Sequence, residues 1–398
     1  IPDLYTIGNS IDPPTYSNGR TREKYNSLIG NATVGYKNFL FLNGSIRDDW
    51  YSALPYSHNV ITSKSFGASF VFSDLLKGVD KWLSYGKLRA SWGEIPKTLD
   101  PYQYPGLAYG VSANKFNGNL LMASPDQYVD PAITGATTSS KEIGLELRFF
   151  NDRLGVSGSY WNADEKNIPY NISVNAASGF SSILTNFGLV KRRGIDLSLQ
   201  ATPIDLRNFK WDINTTYSNL LEDKVVEISK KYGVSRITVS GGGNTFSNLP
   251  VLVQQEGMAW GQLFGNGIMR NAQGVPILDA NGFYKSNPNV YFGSVLPKHT
   301  GGMQNSFTLL NNFEIDVNID YQVGGKFASL SDAFGSFSGL TERTAALNDK
   351  GNPVRDAVAD GGGVHTTGVD ATTGKPVSYY VPAFDYYQNI FNNKTLDE

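Results

Sequence analysis

The strongest constraint in this chain is a two-residue alternation that a helix cannot use. From Phe313 to Tyr321 it reads Phe-Glu-Ile-Asp-Val-Asn-Ile-Asp-Tyr, apolar at every odd position and acidic or amide at every even one. Side chains alternate across a strand with a period of two, whereas a helix would mix these residues on each face. Ile143, Leu145, Leu147 and Phe149 alternate in the same way with Glu142, Glu146 and Arg148. The pattern returns at Ile195 to Ala201, at Phe209 to Ile213 and at Leu88 to Trp92. These segments approach the 9–11 residues that a tilted strand needs to cross a bilayer. Ten strands are expected, at 28–36, 39–47, 66–72, 87–93, 141–150, 153–162, 194–202, 209–218, 303–310 and 313–322.

The connections carry a second signal. Short polar turns at Lys37-Asn38, Asn151-Asp152-Arg153, Arg207-Asn208 and Asn311-Asn312 alternate with the long segments 48–65, 94–140, 162–186, 219–300 and 322–398. Structureless loops beyond about 15 residues are uncommon in compact soluble domains. Outer-membrane barrels do pair short periplasmic turns with long extracellular loops. The expected fold is therefore an all-β, antiparallel transmembrane barrel with long extracellular loops. Glu142, Glu146, Lys87, Arg89, Asp316 and Asp320 on the inner face would crowd a ten-stranded lumen, since about eight strands leave room only for packed side chains. A wider barrel, with strands beyond these ten, fits them better.

Composition removes other classes. With 34 Lys and Arg against 36 Asp and Glu, the net charge of −2 gives no basic footprint for nucleic acid. The absence of Cys excludes disulfides, thiolate metal sites and thiol nucleophiles. The 22 Tyr, 22 Phe and 6 Trp residues exclude the aromatic-poor composition of disordered chains. Apolar runs reach only four residues, as at Phe39 to Leu42, so no helix spans a membrane.

Motifs for chemistry are weak. His58, His299 and His365 lie far apart without ligand spacing and are expected in loops. Asp48-Asp49 and Glu222-Asp223 are read as solvated loop acids rather than paired catalytic carboxylates. Asp279-Ala280-Asn281-Gly282 opens like a calcium loop, but Val290 stands where the closing Glu belongs, so a turn is expected. Gly241-Gly242-Gly243 and Gly361-Gly362-Gly363 lack the Lys-Ser/Thr context of a phosphate loop and are read as loop tips. No catalytic residue, metal site or cofactor is expected. Phe149, Tyr160, Trp211, Phe313 and Tyr321 are expected toward lipid, with Tyr and Trp at its interfaces. Tyr102, Tyr104 and Tyr109 fall within the long loop 94–140, where their rings would contact substrate or a partner, or pack the loop on itself.

Several motifs, taken in order, resemble the SusC/RagA family of TonB-linked outer-membrane transporters. Tyr36 to Leu42 followed by Ser45-Ile46-Arg47-Asp48-Asp49 is similar to the family's strand pair and Arg-x-Asp loop start. Gly86 to Gly93, Glu142 to Glu146 with Ser159 to Asn162, Ser178-Gly179-Phe180, Asn186 to Asp196, Gly257 to Gly265 and Tyr321 to Lys326 follow in family order. Arg192-Arg193 departs from the family's Asn-Lys pair, Asp196 replaces its usual Glu, and Ser-Ala-Leu-Pro replaces the stretch after the Arg-x-Asp. The resemblance implies that residues 1–398 belong to one barrel domain of about 22 strands with a plugged lumen. Plug, TonB box, early strands and final strands would lie outside this sequence, which opens at Ile1-Pro2 without a leader. It further implies TonB-driven import of oligosaccharides or peptides across the bacterial outer membrane, beneath a SusD-like surface lipoprotein that closes the mouth. Two alternatives stand beside it: a TonB-dependent siderophore or vitamin receptor without such a lid, and a soluble β-rich adhesin or glycan-binding module.

Overall fold

The computed structural model describes residues 20–76, 82–106, 109–239 and 250–393. Ten strands form one antiparallel wall: β1 (Tyr25–Tyr36), β2 (Leu40–Tyr51), β3 (Val60–Val71), β4 (Leu83–Lys97), β5 (Ala136–Phe149), β6 (Leu154–Ser173), β7 (Ser182–Leu206), β8 (Phe209–Glu227), β9 (Pro297–Leu309) and β10 (Phe313–Gly324). They follow one another in sequence order as an up-and-down meander, and the short strand Gln127–Val129 adds in parallel at the start of β7. Among the described residues the wall is open, with β1 and β10 at its edges.

All ten expected strands are present in the expected order, but they are accurate at one end only. At the short turns the boundaries agree within one or two residues for most strands. At the other end β6 runs to Ser173 instead of 162, β7 begins at Ser182 instead of 194, and β8 runs to Glu227 instead of 218. The expected loops 48–65 and 162–186 are thus largely strand. Beyond the apolar band the outer face turns polar, with Asn162, Asp164 and Lys166 continuing the face that carries Tyr160, and apolar residues return only at Ile168, Tyr170 and Ile172. The hydrophobic alternation stops there while the backbone ladder, which needs no apolar side chains, continues.

Turn chemistry sets the register at the short end. Lys37 and Asn38 both take positive φ, 49° and 61°, the geometry of the type I′ turn whose twist matches that of paired strands. The last turn centres on Leu310 and Asn311, also at positive φ, one residue earlier than its Asn-Asn pair suggests. Close approach explains one glycine of the wall. A Cβ on Gly86 would lie 2.5 Å from the Phe72 ring, which ends a row of aromatic contacts running Tyr36, Phe39, Phe70, Phe72.

The register sorts side chains onto two faces. Ile143 sits opposite Tyr160, Leu145 opposite Gly158, Trp211 opposite Phe307 and Ile319 opposite Met303. Phe149, Phe313 and Tyr321 share this apolar face. It is exposed along the wall, with Ile143, Leu145, Ile315 and Ile319 each more than 40% accessible. From Phe313 to Val323, ten steps at about 3.4 Å and the usual tilt give a band about 26 Å tall, close to the apolar belt of a bilayer barrel. The opposite face is polar. There Arg89 pairs with Glu142 at 2.6 Å, Arg148 with Glu146 at 3.0 Å, and Ser218 donates to Asp196 at 2.6 Å.

Beyond the loop end of the wall lies a superstructure that the alternation did not reveal. Arg236–Thr238, Val251–Gln255, Gln262–Ile268 and Ser286–Ser294 form an antiparallel sheet. Ile277–Leu278, Val364–Asp370 and Pro376–Val381 form a second, and Gly110–Phe116 pairs with Asn119–Ala123 in a hairpin. Helices Leu330–Ser338 and Ala383–Asn393 meet through Phe337 and Phe384, 5.4 Å apart. Among the described residues no helix is long and apolar enough to cross a membrane.

Candidate functional site at the mouth of the wall

Two charged nodes anchor the superstructure to the polar face. The first is Arg192 on β7. Its Nε donates to Asp223 on β8 at 2.9 Å, and a terminal nitrogen donates to Glu165 on β6 at 2.8 Å. Its guanidinium lies 5.4 Å from the centre of the Trp260 ring, within reach of a cation–π attraction. Asp223 completes the node by accepting the Trp260 backbone N–H at 3.1 Å. Gly257 donates to the Val225 carbonyl, and Val225 donates back to that of Met258. Segments 186–196 and 257–265, separate in sequence, therefore meet here. Neighbouring Arg193 turns to the opposite face and pairs with Glu222 at 2.7 Å. A doublet of basic residues within one strand was the signal available in the sequence, because adjacent residues must point to opposite faces.

The second node is Asp130, only 5% exposed. It accepts from Thr185 Oγ1 at 2.9 Å, Lys231 Nζ at 2.5 Å, Tyr232 Oη at 3.2 Å and the Ala132 N–H at 3.0 Å. Burial raises the Asp130 carboxyl, but the hydrogen bonds from Lys231, Ala132 and Thr185 outweigh that and hold it at about 2. The node joins two apolar clusters. One gathers Ala53, Leu54, Leu99, Val129, Ile133 and Leu184, and the other Ile172, Phe187, Val190, Val225, Ile228 and Ile237. Asn186 ties the same region together: its side chain accepts the Thr134 N–H and donates to the carbonyls of Thr134 and Asn167.

The three loop tyrosines are not brought together. Tyr104 packs against the first cluster, whereas Tyr102 and Tyr109 are 59% and 64% exposed. The Tyr102 hydroxyl accepts the Arg22 N–H at 3.0 Å.

The acids expected in loops stand on strands. Asp49 on β2 is buried, accepts from Arg47 Nε at 2.8 Å and from Ser27, while Asp48 on the other face accepts from Thr62. Glu222 and Asp223 on β8 are likewise split between faces by their separate arginines. Two histidines are also corrected. His299 lies on β9, bonded to Tyr217 at 2.9 Å, and His365 lies on a strand of the second upper sheet; His58 is in a short 3-10 turn as a loop residue should be. His365 links Ser378 at 2.7 Å to Asp349 at 2.8 Å and stacks on Tyr380. That is the connectivity of a nucleophile, base and acid, but Ser378 is exposed. It lacks the water-excluded setting in which such a relay stabilises charge, and its role here is to tie the turn at 348–352 to the hairpin. Asp279 caps a turn by accepting the N–H groups of Asn281 and Phe283. Gly361 and Gly363 serve positive φ at 91° and 92°, and Gly241-Gly242-Gly243 lie outside the described residues. Among the described residues no group of three or more His, Asp or Glu could hold a metal.

A cavity of about 470 Å³ opens at this end between the four-stranded upper sheet and helices Leu330–Ser338 and Ala383–Asn393. Leu263, Phe292, Val364 and Ile390 line it with Ala333 and the Asp332–Arg343 pair.

Comparison with known proteins agrees with this architecture. The profile of a family described as "TonB dependent receptor-like, beta-barrel" matches residues 2–337. TonB-dependent receptor P26 of Formosa agariphila is 26% identical over 250 residues, which cover 56% of this chain and 24% of that protein. TonB-dependent receptor P39 of the same organism is 26% identical over 225 residues, covering 54% and 20%. The chain therefore spans about a quarter or less of the length of these relatives. Among solved structures the fold resembles that of the RagAB peptide transporter, with a TM-score of 0.65 and 18% identity over 79% of this chain and 35% of the other. The two-faced strands, the type I′ turns at one end and the elaborated loops at the other place this wall in the outer membrane, its apolar face toward lipid: the chain belongs to the TonB-dependent receptor family and forms part of its β-barrel.

Proposed function

We propose that the protein imports oligosaccharides or peptides through the outer membrane together with a SusD-like surface lipoprotein, with energy supplied by TonB. The family is one of transporters, and in this reading none of the chain's own residues performs catalysis. The wall described here is one part of a barrel of about 22 strands, and the plug, the TonB box and the remaining strands belong to the rest of the protein. The observation that carries the reading is the superstructure itself. Two upper sheets and two helices stand on the loop end, and the Arg192 and Asp130 nodes fasten the segments beside the four-stranded sheet to the wall. The RagAB structure, described as a peptide transporter, has the same fold at this part of its chain. The exposed rings of Tyr102 and Tyr109 are proposed as contacts for substrate or lipoprotein, and Tyr104 as support for that loop.

The test is purification of the complete protein from outer membranes in mild detergent, with mass spectrometry of everything that accompanies it. A SusD-like lipoprotein at near-equal abundance is expected. Repeated recovery of the barrel protein alone would replace this reading with a lidless siderophore or vitamin receptor, and solubility without detergent would replace it with a soluble adhesin.

A further inference from the structure

The cavity beneath helix Leu330–Ser338 has a chemistry that selects among substrates. Its walls are mostly hydrocarbon, from Leu263, Phe292, Ala333, Val364 and Ile390. Tyr386 and Tyr387 add two rings to the lining, and several of its polar groups bond one another. Ser329 Oγ accepts the Asp332 N–H at 3.1 Å, and Arg343 is divided between the Asp332 carboxylate and Ser336 Oγ. A sugar placed here would set most of its hydroxyls against hydrocarbon, at the cost of unmade hydrogen bonds. An apolar side chain would meet no such penalty, and 470 Å³ lies within the range of small-ligand sites.

The rim adds a charge. Lys326 stands two residues past the end of β10, fixed by its N–H to the Ser294 carbonyl at 2.9 Å. Its side chain lines the cavity, is exposed, and enters no salt bridge among the described residues. Beside it Phe327 is 87% exposed. A hydrocarbon chamber with one unpaired cation at its mouth fits a molecule that carries an apolar group next to an anionic one.

We propose that this cavity, formed by the four-stranded upper sheet and helices Leu330–Ser338 and Ala383–Asn393, is a subsite for the C-terminal end of a peptide, taking its apolar last side chain while Lys326 meets the free carboxylate. The inference rests on the import reading above and narrows its substrate class to peptides. The complete transporter in detergent is titrated with the peptide Gly-Gly-Phe, with its C-terminal amide, and with maltohexaose as a neutral oligosaccharide. Binding of the acid is expected to be at least tenfold tighter than that of the amide, without competition from maltohexaose. Lys326→Ala, at an exposed position that leaves the fold intact, should abolish the preference for the acid. Ala333→Phe, which fills the chamber, should weaken both peptides at least tenfold. Equal binding of acid and amide by the unmodified protein, or peptide affinity untouched by both substitutions, would overturn the subsite. Uptake in cells separates the two readings. TonB-dependent transport that ignores both substitutions removes the subsite and leaves import standing. Peptide binding without any TonB-dependent uptake removes import and leaves the cavity.

Discussion

Replacing Arg192 with Met should release the segment around Trp260 from the wall while leaving the barrel assembled. The substitution removes ion pairs at 2.9 and 2.8 Å and the attraction to the Trp260 ring. It leaves Asp223, whose side chain is 5% exposed, without a counter-charge and facing Glu165. Breaking a fully buried pair from one side costs about 3–5 kcal/mol. Arg192 and Glu165 keep 26% and 23% of their exposure, so solvent recovers part of that and about 2–4 kcal/mol is the reasonable range. If the loss falls on local opening, the Trp260 N–H that Asp223 accepts should exchange about 30- to 1,000-fold faster. Hydrogen exchange of the detergent-solubilised protein, read by mass spectrometry for a peptide covering 257–264, measures this directly. The double substitution Arg192→Met with Asp223→Asn should recover much of the protection, because it removes the stranded charge as well as its partner. Unchanged exchange in the single variant, or acceleration spread evenly over the wall, would refute the claim that Arg192 fastens this segment.

Three further outcomes follow from the same geometry. Asp130 titrates at about 2 when folded, below its ordinary value of about 3.9. The stability it supplies is therefore present above about pH 4 and lost as pH falls toward 2. It amounts to at most about 2.5 kcal/mol, less for screening because Lys231 is 58% exposed. Exchange at 228–239, corrected for its intrinsic pH dependence, should rise over that window, and Asp130→Asn should show the rise at neutral pH. Gly86→Ala would drive its Cβ against the Phe72 ring and should cost about 1–3 kcal/mol of overpacking, seen as a lower temperature for loss of the compact band in heat-modifiability gels. Tyr104→Ala should loosen the loop cluster by about 1–3 kcal/mol, whereas Tyr102→Ala should leave stability within about 0.5 kcal/mol. Proteolytic susceptibility of loop 94–135 distinguishes the two.

The wall was legible because lipid on one face and water on the other write a period of two into residues such as 141–149 and 313–323. Legibility ended where that contrast ended. Asn162 to Ser173 and Ser182 to Gly194 are strands held by ladder hydrogen bonds and by the Arg192 and Asp130 nodes; polar Asn162, Asp164 and Lys166 interrupt the apolar period, and the short alternation at Ile168, Tyr170 and Ile172 is all that resumes it. The acids at 48–49 and 222–223 were misplaced for this reason. They lie on the extended strands, and adjacent carboxylates there face opposite sides of a sheet. The upper sheets escaped notice because their strands are short, two to nine residues, and assemble segments as distant as Ile277 and Val369. Tyr104 could not be told from Tyr102 by sequence, since which ring turns inward depends on Leu99, Val129 and Leu184 arriving from other parts of the chain.

The claim on which the rest depends is that the apolar face meets lipid and the polar face a water-filled lumen. These 398 residues have no Cys, so single cysteines at positions 142 to 147 of β5 are introduced into the complete protein in its native membrane, with any Cys elsewhere in that protein replaced by Ser. Ile143, Leu145 and Leu147 should be shielded from a membrane-impermeant thiol reagent and exposed to a lipid-borne quencher, with Glu142, Gly144 and Glu146 showing the reverse. Uniform reaction with the aqueous reagent, or alternation in the opposite phase, would contradict the account.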